Sequence, residues 1–274
     1  MTAMTTVYTL KHANFSGQGL PSILPFVAQD EAEYAYDFRA RANRLNDLTG
    51  KHSDLVPKRN DTIGGIVQVI DPTVVVDQDN GAGIRLEMGF LETDDLLKPI
   101  PIDGSVKFTV MVVAGWSGFV PPPEKTGTSA EIASFYDYGT GINANGFSIE
   151  DNKSAVNKSG ARVKAPSINL STPKNSTTRK SVVFLTYDGS TWTLHNKTMG
   201  LVATKTNAEL QFVAPIPVHT SVVTHATMGH FYSSTLAACY PALYQMAKWN
   251  RVLTQAEMDT QYAKSKMAFP SIGI

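Results

Sequence analysis

Cysteine is almost missing from this chain, with Cys239 the only one. A lone thiol excludes an internal disulfide framework and gives no sign of oxidising export. Cys239 lies between Ala238 and Tyr240 in an apolar run, the setting of a buried and inert thiol. Net charge is missing too, because 24 Lys and Arg balance 24 Asp and Glu. A neutral chain has no global attraction to nucleic acid or to an anionic membrane, so any binding must come from a local site. No run reaches the ~20 apolar residues of a membrane span, and MTAMTTVYTLKHANF lacks the apolar centre of a signal peptide.

Reaction chemistry is also thinly represented. Glycoside hydrolysis needs two carboxylates flanking the scissile bond, roughly 5–9 Å apart. Glu87 and Glu92 are separated by Gly89, and Glu92, Asp94 and Asp95 fall in a loop, so no such pair is evident. Asp77, Asp79 and Asn80 resemble the front of a calcium loop, but no Glu stands at its twelfth position. The six histidines include His219, His225 and His230, which lack the tight spacing of a zinc site. The expectation is a non-enzymatic chain without metal or cofactor.

What the sequence does hold is strand pattern. Ser105–Trp116 is the strongest strand, with Val106, Phe108, Val110, Val112, Ala114 and Trp116 expected on a core face and a mixed opposite face. Ser181–Tyr187 and Thr191–Asn196 flank Asp188-Gly189, a hairpin signature. Residues 151–178 are polar and are expected to form an exposed loop region with one strand near Arg162–Ile168. Toward the end, Leu243, Gln245, Ala247 and Trp249 alternate with Tyr244, Met246 and Lys248, as in a strand. After the Asn250-Arg251 corner, Thr254 and Glu257 stand at capping-box spacing, so a short helix is expected from about Gln255 with Met258 and Tyr262 on one face. Many short strands between Gly, Pro and Asn turns, with little helix, argue for a two-sheet sandwich over 31–274.

Residues 1–30 differ. Gly17, Gly19, Pro21 and Pro25 interrupt any period, while Phe15, Leu20, Ile23, Leu24 and Phe26 make the stretch apolar. An apolar arm must lie on something, either across its own domain or on a partner. The expectation adopted is a docking arm whose partner contacts include Phe15, Leu20, Pro21, Ile23 and Phe26.

Four stretches together resemble the concanavalin A-like lectin/glucanase superfamily, most closely its laminin-G-type branch. They are Asp47-Leu48-Thr49-Gly50 after AYDFRARANRL, the strand SVKFTVMVVAGW, the hairpin SVVFLTYDGSTWTLHNKT, and MAKWNRVLTQAEMDTQYAK. The resemblance covers about residues 33–266 and implies an all-β, two-sheet antiparallel jelly roll with a short C-terminal helix. It implies no single function, since the fold hosts lectins, glycosidases and structural modules. The Glu-x-Asp-x-x-Glu arrangement of the superfamily's glucanases is not found here.

Sugar binding needs an exposed aromatic for stacking and nearby amide or carboxylate groups for hydroxyls. Tyr136, Asp137, Tyr138, Asn143 and Asn145 offer both, and Trp192 adds an aromatic beside Asn196. With its arm and its lack of export features, the chain resembles bacteriophage tail or capsid-surface proteins. The implied role is a virion structural protein, assembled in the host cytoplasm and expected to be a homo-oligomer. Its arm would contact other virion proteins and its lectin-like domain a host surface glycan. The alternatives are a decoration protein without ligand, or a glycosidase of the same fold.

Overall fold

The computed structural model describes residues 25–62, 65–86, 89–93, 104–117, 133–138, 144–149, 153–157, 167–170, 180–210, 225–229 and 240–274. Within them the strands run β1 (Ala32–Asp37), β2 (Val56–Thr62), β3 (Gly65–Ile70), β4 (Val75–Gln78), β5 (Gly83–Leu86), β6 (Gly89–Thr93), β7 (Phe108–Ser117) and β8 (Ala133–Tyr138). They continue as β9 (Ala144–Ile149), β10 (Lys153–Asn157), β11 (Ser167–Asn169), β12 (Lys180–Tyr187), β13 (Thr191–Asn196), β14 (Leu201–Thr206), β15 (His225–Gly229) and β16 (Tyr240–Trp249), and the chain closes with helix α1 (Gln255–Ala268).

Two eight-stranded antiparallel sheets result. One has the order β14-β13-β12-β7-β16-β5-β4, with β1 also on β16; the other runs β11-β10-β9-β8-β15-β6-β2-β3. Strand β16 is central to the first sheet. One of its edges carries β7, and the other is shared by β5 at Ala242–Leu243 and β1 at Gln245–Trp249.

The inner core lies between the sheets. Phe108, Val110 and Val112 of β7 meet Leu185 and Leu194 from the same sheet and Leu91, Ile149 and Ile168 from the opposite one. A second core covers the outer face of the first sheet, where Met111, Val113, Phe184, Ala247 and Trp249 pack with Met258 of α1, Phe26, Phe269, Ile272 and Ile274. The mixed face expected for β7 is therefore buried as completely as its core face. Its cover comes from the segment before β1 and from the C-terminal residues, far away in sequence.

The expected alternation of β16 also slips by one residue. The register shifts between Leu243 and Gln245, so Leu243 and Met246 reach the inner core while Tyr244, Ala247 and Trp249 reach the outer one. A bulge of this kind inserts an extra residue and moves every later side chain to the other face. The expected one-face set Leu243, Gln245, Ala247 and Trp249 loses Leu243 for this reason.

The local signatures hold. Thr254 Oγ1 accepts from Glu257 N, and Glu257 Oε2 accepts from Thr254 N at 2.7 Å, completing the capping box. The buried Asp47 accepts from Ala35 N at 2.9 Å, Thr49 N at 3.1 Å, Lys51 N at 3.1 Å and His52 N at 3.0 Å. One carboxylate thereby ties the turn after β1 to β1 itself, ending at Gly50 with φ 68°. In the expected loop region 151–178 the strand Ser167–Asn169 overlaps the one expected near Arg162–Ile168, and Lys153–Asn157 is a further paired strand that corrects the expectation in part.

Candidate functional site

Strand register gathers several strand ends at one end of each sheet. Tyr187 pairs with Phe108 and Thr191 with Thr206, so the β12–β13 turn, the entry to β7 and the exit of β14 share one edge of the first sheet. In the second sheet His225 pairs with Tyr136 and Ala226 with Thr93, so β8 and β6 end where β15 begins.

In the first sheet this end is a rigid hairpin tip. Asp188 Oδ1 accepts from Ser190 N at 2.9 Å and Thr191 N at 2.8 Å. Partial burial works against its ionisation, but these two amides and the nearby Lys107 hold its carboxyl below the usual range. Gly189, at φ 102°, has no room for a side chain, since a Cβ there would stand 2.8 Å from Gly104 Cα. Tyr187 donates to Gly189 O at 2.8 Å.

Beneath the tip lies Trp192. It stacks on Tyr187 with centroids 4.4 Å apart, meets Phe108 edge-on at 5.6 Å, and donates its Nε1–H to Asn207 Oδ1 at 2.9 Å. With 0% exposure it offers no face to a sugar, so its expected ligand role is corrected. An indole whose N–H is satisfied inside the protein belongs to the core.

Of the other expected ligand residues, Tyr136, Asp137 and Tyr138 lie on β8 and Asn145 on β9, while Asn143 lies outside the described residues. Asp137 pairs with Asn145, and Tyr136 with Gly146. The strand ends bring these residues to one place along the sheet.

The arm divides in the same way. Phe15, Leu20, Pro21 and Ile23 lie outside the described residues, whereas Phe26 is 1% exposed and sits in the chain's own outer core. Its expected docking role is corrected: the ring is already covered by the domain that follows it.

The carboxylates of the DQDN turn are engaged internally. Asp77 pairs with Arg44, and Asp79 accepts from Lys180 Nζ at 2.6 Å and from the Tyr244 hydroxyl. Burial opposes ionisation of Asp79, but hydrogen bonds from Lys180 and Tyr244 keep its carboxyl below the usual range. The Tyr244 hydroxyl is pushed well above its ordinary value by burial and by its bond to Asp79. An ammonium fills the place beside Asp79 that a cation would take. Sequence reasoning missed this trio because Asp79, Lys180 and Tyr244 meet only in the folded sheet.

No protein-family model and no curated protein matches the sequence. Solved structures do share its architecture. The binding domain of Paraclostridial Mosquitocidal Protein 1 is similar at a TM-score of 0.55 and 13% identity, over 85% of this chain and 52% of that one. The botulinum neurotoxin serotype D binding domain gives 0.53 and 10%, over 86% and 51%. The binding domain of botulinum neurotoxin DC in complex with SialylT gives 0.52 and 11%, over 86% and 52%. The chain thus spans about half the length of the chains it matches. At such identities the likeness is one of fold. The chain is a two-sheet antiparallel β-sandwich of the jelly-roll type.

Proposed function

We propose that this chain is a non-enzymatic binding module of a bacteriophage virion. Its lectin-like sandwich contacts a host surface glycan at the end formed by the β8–β9 turn, and its N-terminal arm anchors it to other virion proteins. The observation that carries the reading is the shared fold with toxin binding domains over most of the chain, one of them in complex with SialylT. The engagement of Asp47, Asp79 and Glu257 in structural hydrogen bonds supports a binding role over a catalytic one. Tyr136 and Tyr138 are the stacking candidates, with Asn143 and the Asp137–Asn145 pair supplying hydroxyl contacts.

Glycan-array binding by the full chain tests this, repeated with Tyr138→Ala. Hits that weaken at least about fivefold in the variant support the reading, since loss of a stacking aromatic is worth ~1 kcal/mol or more. Hits unchanged in both Tyr138→Ala and Tyr136→Ala place any sugar elsewhere. The burial of Trp192 favours a second reading, a decoration protein that joins neighbours without a ligand. An array without hits, together with loss of particle association when residues 1–24 are deleted, selects that reading. Particle association that survives the deletion overturns the anchoring role of the arm.

A further inference from the structure

The segment preceding β1 is gripped almost entirely by its backbone. Gln261 of α1, with 0% exposure, accepts from Val27 N at 2.7 Å and donates to Pro25 O at 3.3 Å. Lys264 donates to Phe26 O at 3.4 Å, and Trp249 Nε1 donates to Ala28 O at 3.1 Å. Gln261 is itself fixed through Ser265, whose hydroxyl donates to Gln245 of β16 at 2.9 Å. The Phe26 ring is the one buried side chain of this segment, seated in the outer core. A short peptide with a single aromatic anchor meets every one of these demands.

The joint between this peptide and the sandwich is strained. Ala28 holds φ 43° and ψ 47°, the left-handed region, before the single 3₁₀ turn Gln29–Glu31 that leads into β1. A residue with a Cβ is disfavoured there, and glycine is the usual occupant. An alanine at a strained hinge is the arrangement that invites exchange of a terminal segment between copies, because exchange keeps every native contact and lets the hinge open.

We propose that the α1–β16 clamp is a peptide-docking site that takes Pro25–Val27 of a second copy, producing an arm-exchanged homodimer. In the dimer each clamp is filled by its partner's segment, and Ala28 leaves the left-handed region for an extended one. The contacts at the clamp are the same in monomer and dimer, so hinge strain and concentration set the balance. This interaction is independent of sugar recognition and stands whether or not the β8–β9 end binds a glycan.

The test uses the full chain, unlabelled and ¹⁵N-labelled, mixed in equal amounts and followed by native mass spectrometry across a concentration series. Dimers of mixed isotope content are expected, and they should dissociate on dilution. Ala28→Gly relieves the left-handed penalty in the unexchanged state, so it should lower the dimerisation constant at least about fivefold. Gln261→Ala weakens the clamp alike in both states and should leave the dimerisation constant nearly unchanged, which separates hinge strain from clamp strength. A chain that stays monomeric up to its solubility limit overturns the proposal, as does a dimerisation constant that Ala28→Gly leaves unchanged. Ala28→Gly suits the native backbone, so its readout stands even where Gln261→Ala fails to fold.

Discussion

Trp249 combines two contacts at a single position. Its ring is fully buried on the outer face of the central sheet, and its N–H reaches across to Ala28 O. Trp249→Ala should therefore cost about 3–5 kcal/mol in urea denaturation, the range for emptying a buried aromatic site. Trp249→Phe keeps most of the apolar volume, and Ala28 O still accepts from Glu31 N at 3.1 Å, so it should cost only about 0.5–1.5 kcal/mol. Trp192 is the instructive contrast. Its sequence setting, near a turn and beside Asn196, suits a sugar platform, yet its ring is held between Tyr187 and Phe108. Trp192→Ala is expected to destabilise by a similar 3–5 kcal/mol, roughly. Ordinary stability in that variant, with lost glycan binding, would restore Trp192 to the site.

Helix α1 shows what an element can disclose in advance. Its start was legible in Thr254 and Glu257 because a capping box is a local motif, and Leu253 before it is buried as a closing residue should be. Thr254→Ala should cost about 1 kcal/mol and speed hydrogen exchange of the first-turn amides; unchanged exchange would mean that Arg251, bonded to Glu257 at 2.6 Å, holds the helix start unaided. The hairpin around Asp188-Gly189 was legible for the same local reason. Strands β2 (VPKRNDT) and β14 (LVATKT) were not. The first carries a proline and three charges and owes its state to non-local pairing with β3 and β6. The second alternates between half-buried and exposed positions, so it lacks a buried run. The double-sided burial of β7 was hidden because Phe26 and α1 supply its cover from the two ends of the chain. Part of the candidate site was readable as residue types near a turn. That Asp137 and Asn145 stand side by side needed the pairing of β8 with β9.

Layering the whole molecule as sheet, sheet and helix buries one imidazole between the last two. Leu194 of β13 belongs to the inner core, so its neighbour His195 faces the α1 side, 9% exposed, with Nδ1 buried and lacking a hydrogen-bond partner among the described residues. Across the sheet it pairs with Phe184 and Val202, which offer no charge. The charged groups acting on it are Lys197 and, from α1, Asp259, joined to each other at 2.6 Å. Burial first, and Lys197 second, push its pKa below the ordinary 6.5, and Asp259 only partly opposes them. As pH falls through 6.5 the unfolded chain takes up this proton before the folded chain does, so stability declines until the lower folded value is passed. A second decline belongs to carboxylates. Arg251 holds Glu257 down to about 2, although burial opposes this, so its contribution is present above the ordinary 4.5 and disappears as pH drops toward 2. Urea denaturation at successive pH values should therefore show a plateau near neutrality, a loss beginning below about pH 6.5, and a further loss below about pH 4.5. His195→Gln should reduce the upper loss and leave the lower one in place, whereas an upper loss of full size in that variant would assign it to other histidines. Because α1 also grips Val27 through Gln261, acid weakening under the helix should speed exchange of the Val27 amide together with those of the helix, and a Val27 amide that stays protected while α1 loosens would show that the clamp and the helix open separately.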